Sequence, residues 1–101
     1  MLAAAIALPM PIGHGKIQGI GQPSRGFVLA QRLCAECHAI QKQYSRSPNA
    51  NAPHFQAVAS IPGMTATAVS AALNTSHRAM PNIMLAADEQ ADIIAYIPSL
   101  K

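Results

Sequence analysis

The strongest constraint in this sequence is a five-residue segment that carries two cysteines and a histidine. It reads Cys34-Ala35-Glu36-Cys37-His38, and positions 34 and 37 are the only cysteines among the 101 residues. No thiol is therefore left over for another purpose. Any fold of this chain must accommodate two thiols and an imidazole at one place.

Three chemistries use a C-x-x-C pair, and the surrounding residues distinguish them. Two thiols at this spacing can add to the two vinyl groups of one haem, and the histidine that follows can then coordinate the iron. A redox dithiol normally lies at the start of a helix in a βαβ unit, whereas this motif follows a predicted helix. A zinc site needs four ligands, and the other histidines are scattered at His14, His54 and His77. The residues favour covalent haem attachment over the dithiol and zinc alternatives.

The sequence contains few large apolar side chains that could build a core, which is consistent with a large cofactor. Half of the residues are hydrophobic, but the chain has only two Phe, two Tyr and no Trp, and much of the apolar count is Ala. Alanine favours helix but buries little surface. A chain of this length fits one domain, and an apolar cofactor would help to fill its centre.

The charge distribution does not favour a nucleic-acid-binding role. The net charge is +3 and the pI is about 9.2, and the seven Lys and Arg residues form no run or stripe. Aromatic stacking residues are nearly absent as well. The weak positive electrostatic field of such a chain is better matched by a weakly acidic protein partner.

The first twenty residues differ in composition from the rest. Residues 1–12 are almost wholly apolar and too few to span a bilayer, and the Gly and Pro residues of 9–23 indicate a flexible lead-in. The start resembles the late part of a secretory signal peptide without its positively charged leading segment. A retained apolar tail, acting as a membrane anchor, is the alternative. We expect a leader over 1–20 and one domain over 21–101.

Apolar periodicity and capping residues predict an all-α chain. Three helices are expected, the first capped by Ser24 and the second by Thr65, over residues 25–33, 66–74 and 87–97. Residues 38–62, broken by three prolines, are expected to form a long loop. No sustained alternation of apolar and polar residues indicates a strand.

A low-spin electron carrier needs a second axial ligand, and a methionine is the best candidate. Met80 precedes Pro81, which favours extended backbone on a non-helical strap. Met84 is a rival ligand, and Met64 is expected to fill the core. His77 also competes, although a surface position is expected for it.

From about Ser24 to Lys101, the chain resembles a bacterial class I cytochrome c. The resemblance rests on pieces in the family's order: Gly26-Phe27, the Cys34–His38 motif, Ala52-Pro53-His54-Phe55, Met80-Pro81 and Ile94-Ala95-Tyr96-Ile97-Pro98-Ser99-Leu100. It implies the cytochrome c fold, in which three main helices and long loops wrap around one haem c bound by Cys34 and Cys37, with His38 and Met80 as axial ligands.

The resemblance also implies specific contacts. The first and last helices should cross, with Gly26 and Phe27 against Ile93, Tyr96 and Ile97. A loop proline carbonyl should accept a hydrogen bond from His38, and we favour Pro48 slightly over Pro53. The family's Trp near a haem propionate is absent, so Tyr44, Arg46 or Asn49 is expected to take that contact.

Two residues depart from the family pattern in the last helix. Pro98 has no N–H to donate, so the helix is expected to end near Ile97. Ala86 stands where a Ser or Thr often caps the helix, a loss on the order of 1 kcal/mol.

The expected function is single-electron transfer in the bacterial periplasm, not catalysis. The partners implied are redox proteins such as a dehydrogenase, an oxidase or a bc1-type complex, with Arg32, Lys42 and Arg78 steering an acidic partner. A haem-based sensor or a peroxidase-like protein with a labile sixth ligand is the alternative. The chain could also serve as the electron-transfer module of a larger enzyme.

Overall fold

The computed structural model describes residues 21–44, 46–75, 80 and 84–101. These residues form four helices and no strand, which confirms the all-α expectation for the described part of the chain. The helices are α1 (Pro23–Leu33), α2 (Phe55–Ala59), α3 (Ala66–Leu73) and α4 (Ala87–Ser99). The leader over 1–20, His77, Arg78 and Pro81 lie outside the described residues. No helix in the described ranges has the length and apolar character needed to cross a bilayer.

Helix α1 begins earlier than predicted and is capped from a distant part of the chain. Pro23 occupies the first turn, where its fixed φ suits a helix and its missing N–H costs nothing. The N-cap is therefore Gln22, and the prediction that Ser24 caps the helix is wrong. Asp92 of α4 accepts a hydrogen bond from the Gln22 backbone N–H at 2.8 Å. The same buried carboxylate pairs with the Arg25 Nε at 3.1 Å.

Helices α1 and α4 approach each other closely at Gly26. A Cβ atom added there would lie 2.1 Å from the Asp92 carbonyl oxygen and 2.6 Å from the Tyr96 Cβ. Next to it, the Phe27 and Tyr96 rings pack with centroids 5.6 Å apart and planes tilted by 57°. The predicted contact of Gly26 and Phe27 with Tyr96 is confirmed, and only glycine fits this crossing.

Helix α4 runs two residues beyond the predicted end at Ile97. Pro98 lies within its last turn, where the missing N–H removes one hydrogen bond from a helix that is already ending. The final turn is tighter than an α-helical turn. The Leu100 N–H donates to the Ile97 carbonyl at 3.0 Å, and the Lys101 N–H donates to the Pro98 carbonyl at 3.2 Å. At the other end Ala86 supplies no side-chain cap, as expected, but Glu89 accepts from the Ala86 backbone N–H at 2.9 Å.

The predicted loop over 38–62 contains the short helix α2, which the sequence analysis missed. Five residues are too few to show an apolar period. The cap of α3 is confirmed, since the Thr65 Oγ accepts from the Ala68 N–H at 3.1 Å. Gly63, with φ of +79°, makes the turn between α2 and α3.

The core lies where α4 meets the other three helices and the segment after His38. Its buried members are apolar side chains from each of these elements: Ala30, Ile40, Phe55, Ala59, Val69, Ile93, Ile94, Tyr96, Ile97 and Leu100. Helix α4 and its C-cap Leu100 together contribute half of them, so this end of the chain organises the packing of the rest.

Replacing Gly26 with alanine tests the helix crossing. Because the added methyl would meet backbone on α4, we expect Gly26→Ala to lower the free energy of unfolding by about 1–3 kcal/mol. Urea unfolding followed by circular dichroism measures this loss. Ser24→Ala on the exposed face of α1 is the control, with an expected change within about 0.5 kcal/mol. Equal stability of the two variants would contradict the close approach.

Candidate functional site

The cysteine–histidine motif forms a helical turn at the end of α1. The Cys34 N–H donates to the Ala30 carbonyl at 2.8 Å, so Cys34 continues the hydrogen bonding of the helix. The Cys34 carbonyl then accepts from the backbone N–H groups of Cys37 and His38, at 3.1 and 2.9 Å. Residues at spacings of three and four share one face of such a turn. The two thiols and the imidazole therefore belong to one side of a single turn.

Both thiols are free and partly buried, and the setting of Cys34 does not favour a thiolate. Burial raises the pKa of the Cys34 thiol to about 11. Cys34 also caps the C-terminal end of α1, where the helix dipole disfavours negative charge. A redox dithiol relies on a thiolate stabilised at a helix N-terminus. This environment therefore argues against the dithiol alternative.

The imidazole of His38 has one fixed hydrogen bond. Its Nδ1 lies 2.7 Å from the Pro53 carbonyl oxygen. A carbonyl oxygen only accepts, so Nδ1 carries the proton, and in the neutral ring Nε2 keeps a lone pair for a metal. The Phe55 ring packs against the imidazole with centroids 5.2 Å apart. His38 is thus held in the tautomer that a metal ligand needs.

The proline that contacts His38 is Pro53, and the slight preference for Pro48 is corrected. Pro53 immediately precedes His54, the N-cap of α2, and the Phe55 N–H at the start of that helix donates to the Ala39 carbonyl at 2.9 Å. This bond brings the Pro53 carbonyl beside His38. The segment Ala52-Pro53-His54-Phe55 was the sequence signal for this position, but no local rule ranked it above Pro48.

Backbone and side-chain hydrogen bonds fold the loop after His38 back onto the motif. The Asn49 N–H donates to the Cys37 carbonyl at 3.1 Å, and the Ala39 N–H donates to the Ser47 Oγ at 3.0 Å. From α4, the Tyr96 hydroxyl donates to the Ile40 carbonyl at 2.5 Å. The sequence analysis expected Tyr96 only at the crossing of the first and last helices. Its hydroxyl also anchors the loop, a contact that spans 56 positions and has no local signal.

An open cavity of about 350 Å³ lies beside His38. Its wall includes Pro48 and two of the three residues predicted to contact a haem propionate, Tyr44 and Arg46. The remaining lining residues are Gln31, Ala35, Ala39, Ile40 and Gln41. Ala35 and His38 of the motif line this cavity together with the cationic Arg46, and the donor set of two thiols and an imidazole suits a haem with its acidic propionates. Whether Arg46 and Pro48 contact such a group stays a prediction.

The methionines differ clearly in burial. Met64 is partly buried and packs against the core, which confirms its core-filling role. Met84 is 94% exposed, whereas Met80 is partly buried. Met80 therefore remains the better candidate for a second axial ligand, and its place opposite His38 stays a prediction.

Other charged and metal-binding side chains form no second site in the described ranges. Arg32, Lys42 and Arg46 are exposed around the motif. No group of three or more His, Cys, Asp or Glu residues in the described part of the chain could hold a metal ion. A zinc site would need further ligands from the remaining residues.

No protein-family model, curated protein or solved structure matches this chain. The chemistry of the site must therefore follow from its own donors. These are two thiols on one turn, an imidazole with its Nδ1 proton held by a carbonyl, and the cavity beside them.

Removing the Tyr96 hydroxyl tests the anchor between α4 and the loop. Tyr96→Phe leaves the Ile40 carbonyl without this donor, so we expect a loss of about 1–3 kcal/mol in unfolding free energy. Burial raises the pKa of Tyr96, while tyrosines of the unfolded chain ionise near pH 10. The stability that Tyr96 contributes is therefore complete below about pH 10 and is lost as the pH rises through its folded-state pKa.

That alkaline loss should shrink in Tyr96→Phe, as measured by urea unfolding at pH 7 to 11. Tyr44→Phe, at an exposed position, should match the wild type at pH 7. A Tyr96→Phe protein with unchanged stability and an unchanged pH profile would contradict the anchor.

Proposed function

We propose that this protein is a single-electron carrier of the class I c-type cytochrome kind, with the fold of that family. Cys34 and Cys37 would hold one haem c through two thioethers, and His38 would be an axial ligand of its iron. One observation carries the proposal. The two thiols and an imidazole protonated at Nδ1 lie on one helical turn, next to a cavity.

The attachment needs no oxidant or reductant. Each thiol S–H adds across one vinyl group, so that sulfur bonds to one vinyl carbon and the hydrogen goes to the other. The high pKa of Cys34 does not oppose this role, because a thioether carries no charge. After attachment neither cysteine remains for disulfide chemistry.

When bound, the haem supplies an iron that cycles between Fe(III) and Fe(II). The protein orients and tunes this centre through His38. The Pro53 carbonyl holds the Nδ1 proton, which makes Nε2 a stronger donor and favours the ferric state. The buried Phe55 ring limits rotation of the imidazole.

Met80 is proposed as the second axial ligand. Ligation by both His38 and Met80 would leave the iron no open position for oxygen or peroxide, so that electron transfer would be the chemistry it supplies. The exposed Arg32 and Lys42, together with the net positive charge, suit an acidic redox partner. Haem attachment of this type takes place outside the bacterial cytoplasm, so we propose a periplasmic location.

Visible spectroscopy with two methionine variants tests the axial ligation. The oxidised wild-type protein should show a weak far-red sulfur-to-iron band, and the reduced protein should bind carbon monoxide slowly. Met80→Ala should lose the band and bind carbon monoxide rapidly, because one axial position opens. Met84→Ala, at the exposed position, is the control and should behave as the wild type.

Rapid carbon monoxide binding by the wild type, with no sulfur band, would point instead to the sensor or peroxidase-like alternative. Loss of the band in Met84→Ala alone would move the ligand to that residue.

A further inference from the structure

The residues at the start of α2 form three contacts with His38 and its neighbour Ala39. The Pro53 carbonyl accepts from His38, the Phe55 N–H donates to the Ala39 carbonyl, and the Phe55 ring packs on the imidazole. His54 stands between these two residues. Its own side chain turns to the helix, where Nδ1 accepts from the Ala57 backbone N–H at 3.4 Å.

We propose that His54 is a positioning residue for His38, acting by capping α2. This inference rests on the proposed function, since its consequence is read at the haem iron. The path is short: the His54 cap fixes the first turn of α2, that turn fixes the Pro53 carbonyl, and the carbonyl fixes His38.

The short length of α2 makes its cap important. A helix of five residues has few internal hydrogen bonds to offset the cost of nucleation. A side chain that accepts from one of its first N–H groups is therefore a large part of what holds the first turn. The backbone of His54 also takes part, because its carbonyl accepts from the Val58 N–H at 3.2 Å. Fraying of this turn would release the peptide unit that carries the Pro53 carbonyl.

The effect on the iron has a definite sign. Hydrogen bonding from Nδ1 to a carbonyl raises the donor strength of the ligating nitrogen and so stabilises Fe(III). A less well held Pro53 carbonyl weakens that bond. Loss of the His54 cap should therefore raise the reduction potential of the centre and expose the His38 Nδ1 proton to solvent exchange.

Side-chain replacements at His54 separate capping from other roles. Asparagine is among the best N-cap residues and alanine is a poor one. His54→Asn thus keeps a cap without the imidazole, and His54→Ala removes the cap. Thr65→Ala is the matched control, because it removes the N-cap of α3, and no described contact joins α3 to His38.

The experiment uses the haem-loaded full chain of the wild type and the three variants. Redox titration gives the potential, and proton NMR gives the exchange rate of the His38 Nδ1–H. His54→Ala should raise the potential and speed exchange about fivefold, the factor that the loss of one typical cap represents. His54→Asn should equal the wild type or exchange more slowly, and Thr65→Ala should leave both values unchanged.

Equal effects of His54→Ala and Thr65→Ala would overturn the positioning role, since general destabilisation would explain them. Faster exchange of the His38 Nδ1–H in His54→Asn than in the wild type would overturn the positioning role as well. His54→Asn also keeps the proposal testable if His54→Ala does not accumulate. A wild-type protein without haem would instead contradict the proposed function, so the two failures are distinguishable.

Discussion

The close approach of α1 and α4 at Gly26 is the constraint on which the rest of the structure depends. The cysteine–histidine turn continues directly from the end of α1, so its location is set by how α1 lies on α4. Asp92 secures the other end of α1 through the Gln22 N–H. Helix α4 also reaches the loop after the motif through the Tyr96 hydroxyl. One helix thereby positions both the site and the segment that folds back over it.

The second support of the site is local and comes from α2. This helix adds little to the core beyond Phe55 and Ala59, yet it brings the Pro53 carbonyl to His38. The imidazole is therefore oriented from the side opposite its free nitrogen, which leaves Nε2 available. The chain has only two Phe residues, and the ring of one of them packs against this histidine. That use agrees with a histidine whose orientation matters for the proposed function.

The sequence predicted the features that depend on local chemistry and missed those that depend on distant contacts. Helices α1, α3 and α4 followed from apolar periodicity, and Gly26 followed from the resemblance to the cytochromes c. Helix α2 is too short for periodicity to reveal it. The choice of Pro53 over Pro48 depends on a backbone bond to Ala39, and the cap of α1 depends on Asp92, 70 positions away. Neither contact leaves a pattern in nearby residues.

The central claim is that Cys34 and Cys37 hold one haem covalently, and the intact mass of the exported protein under denaturing conditions tests it most directly. The account predicts a chain heavier by one haem, which survives acidified organic extraction because thioethers do not dissociate. A chain with the mass of its amino acids alone, from cells that attach haem to other proteins, would contradict the account.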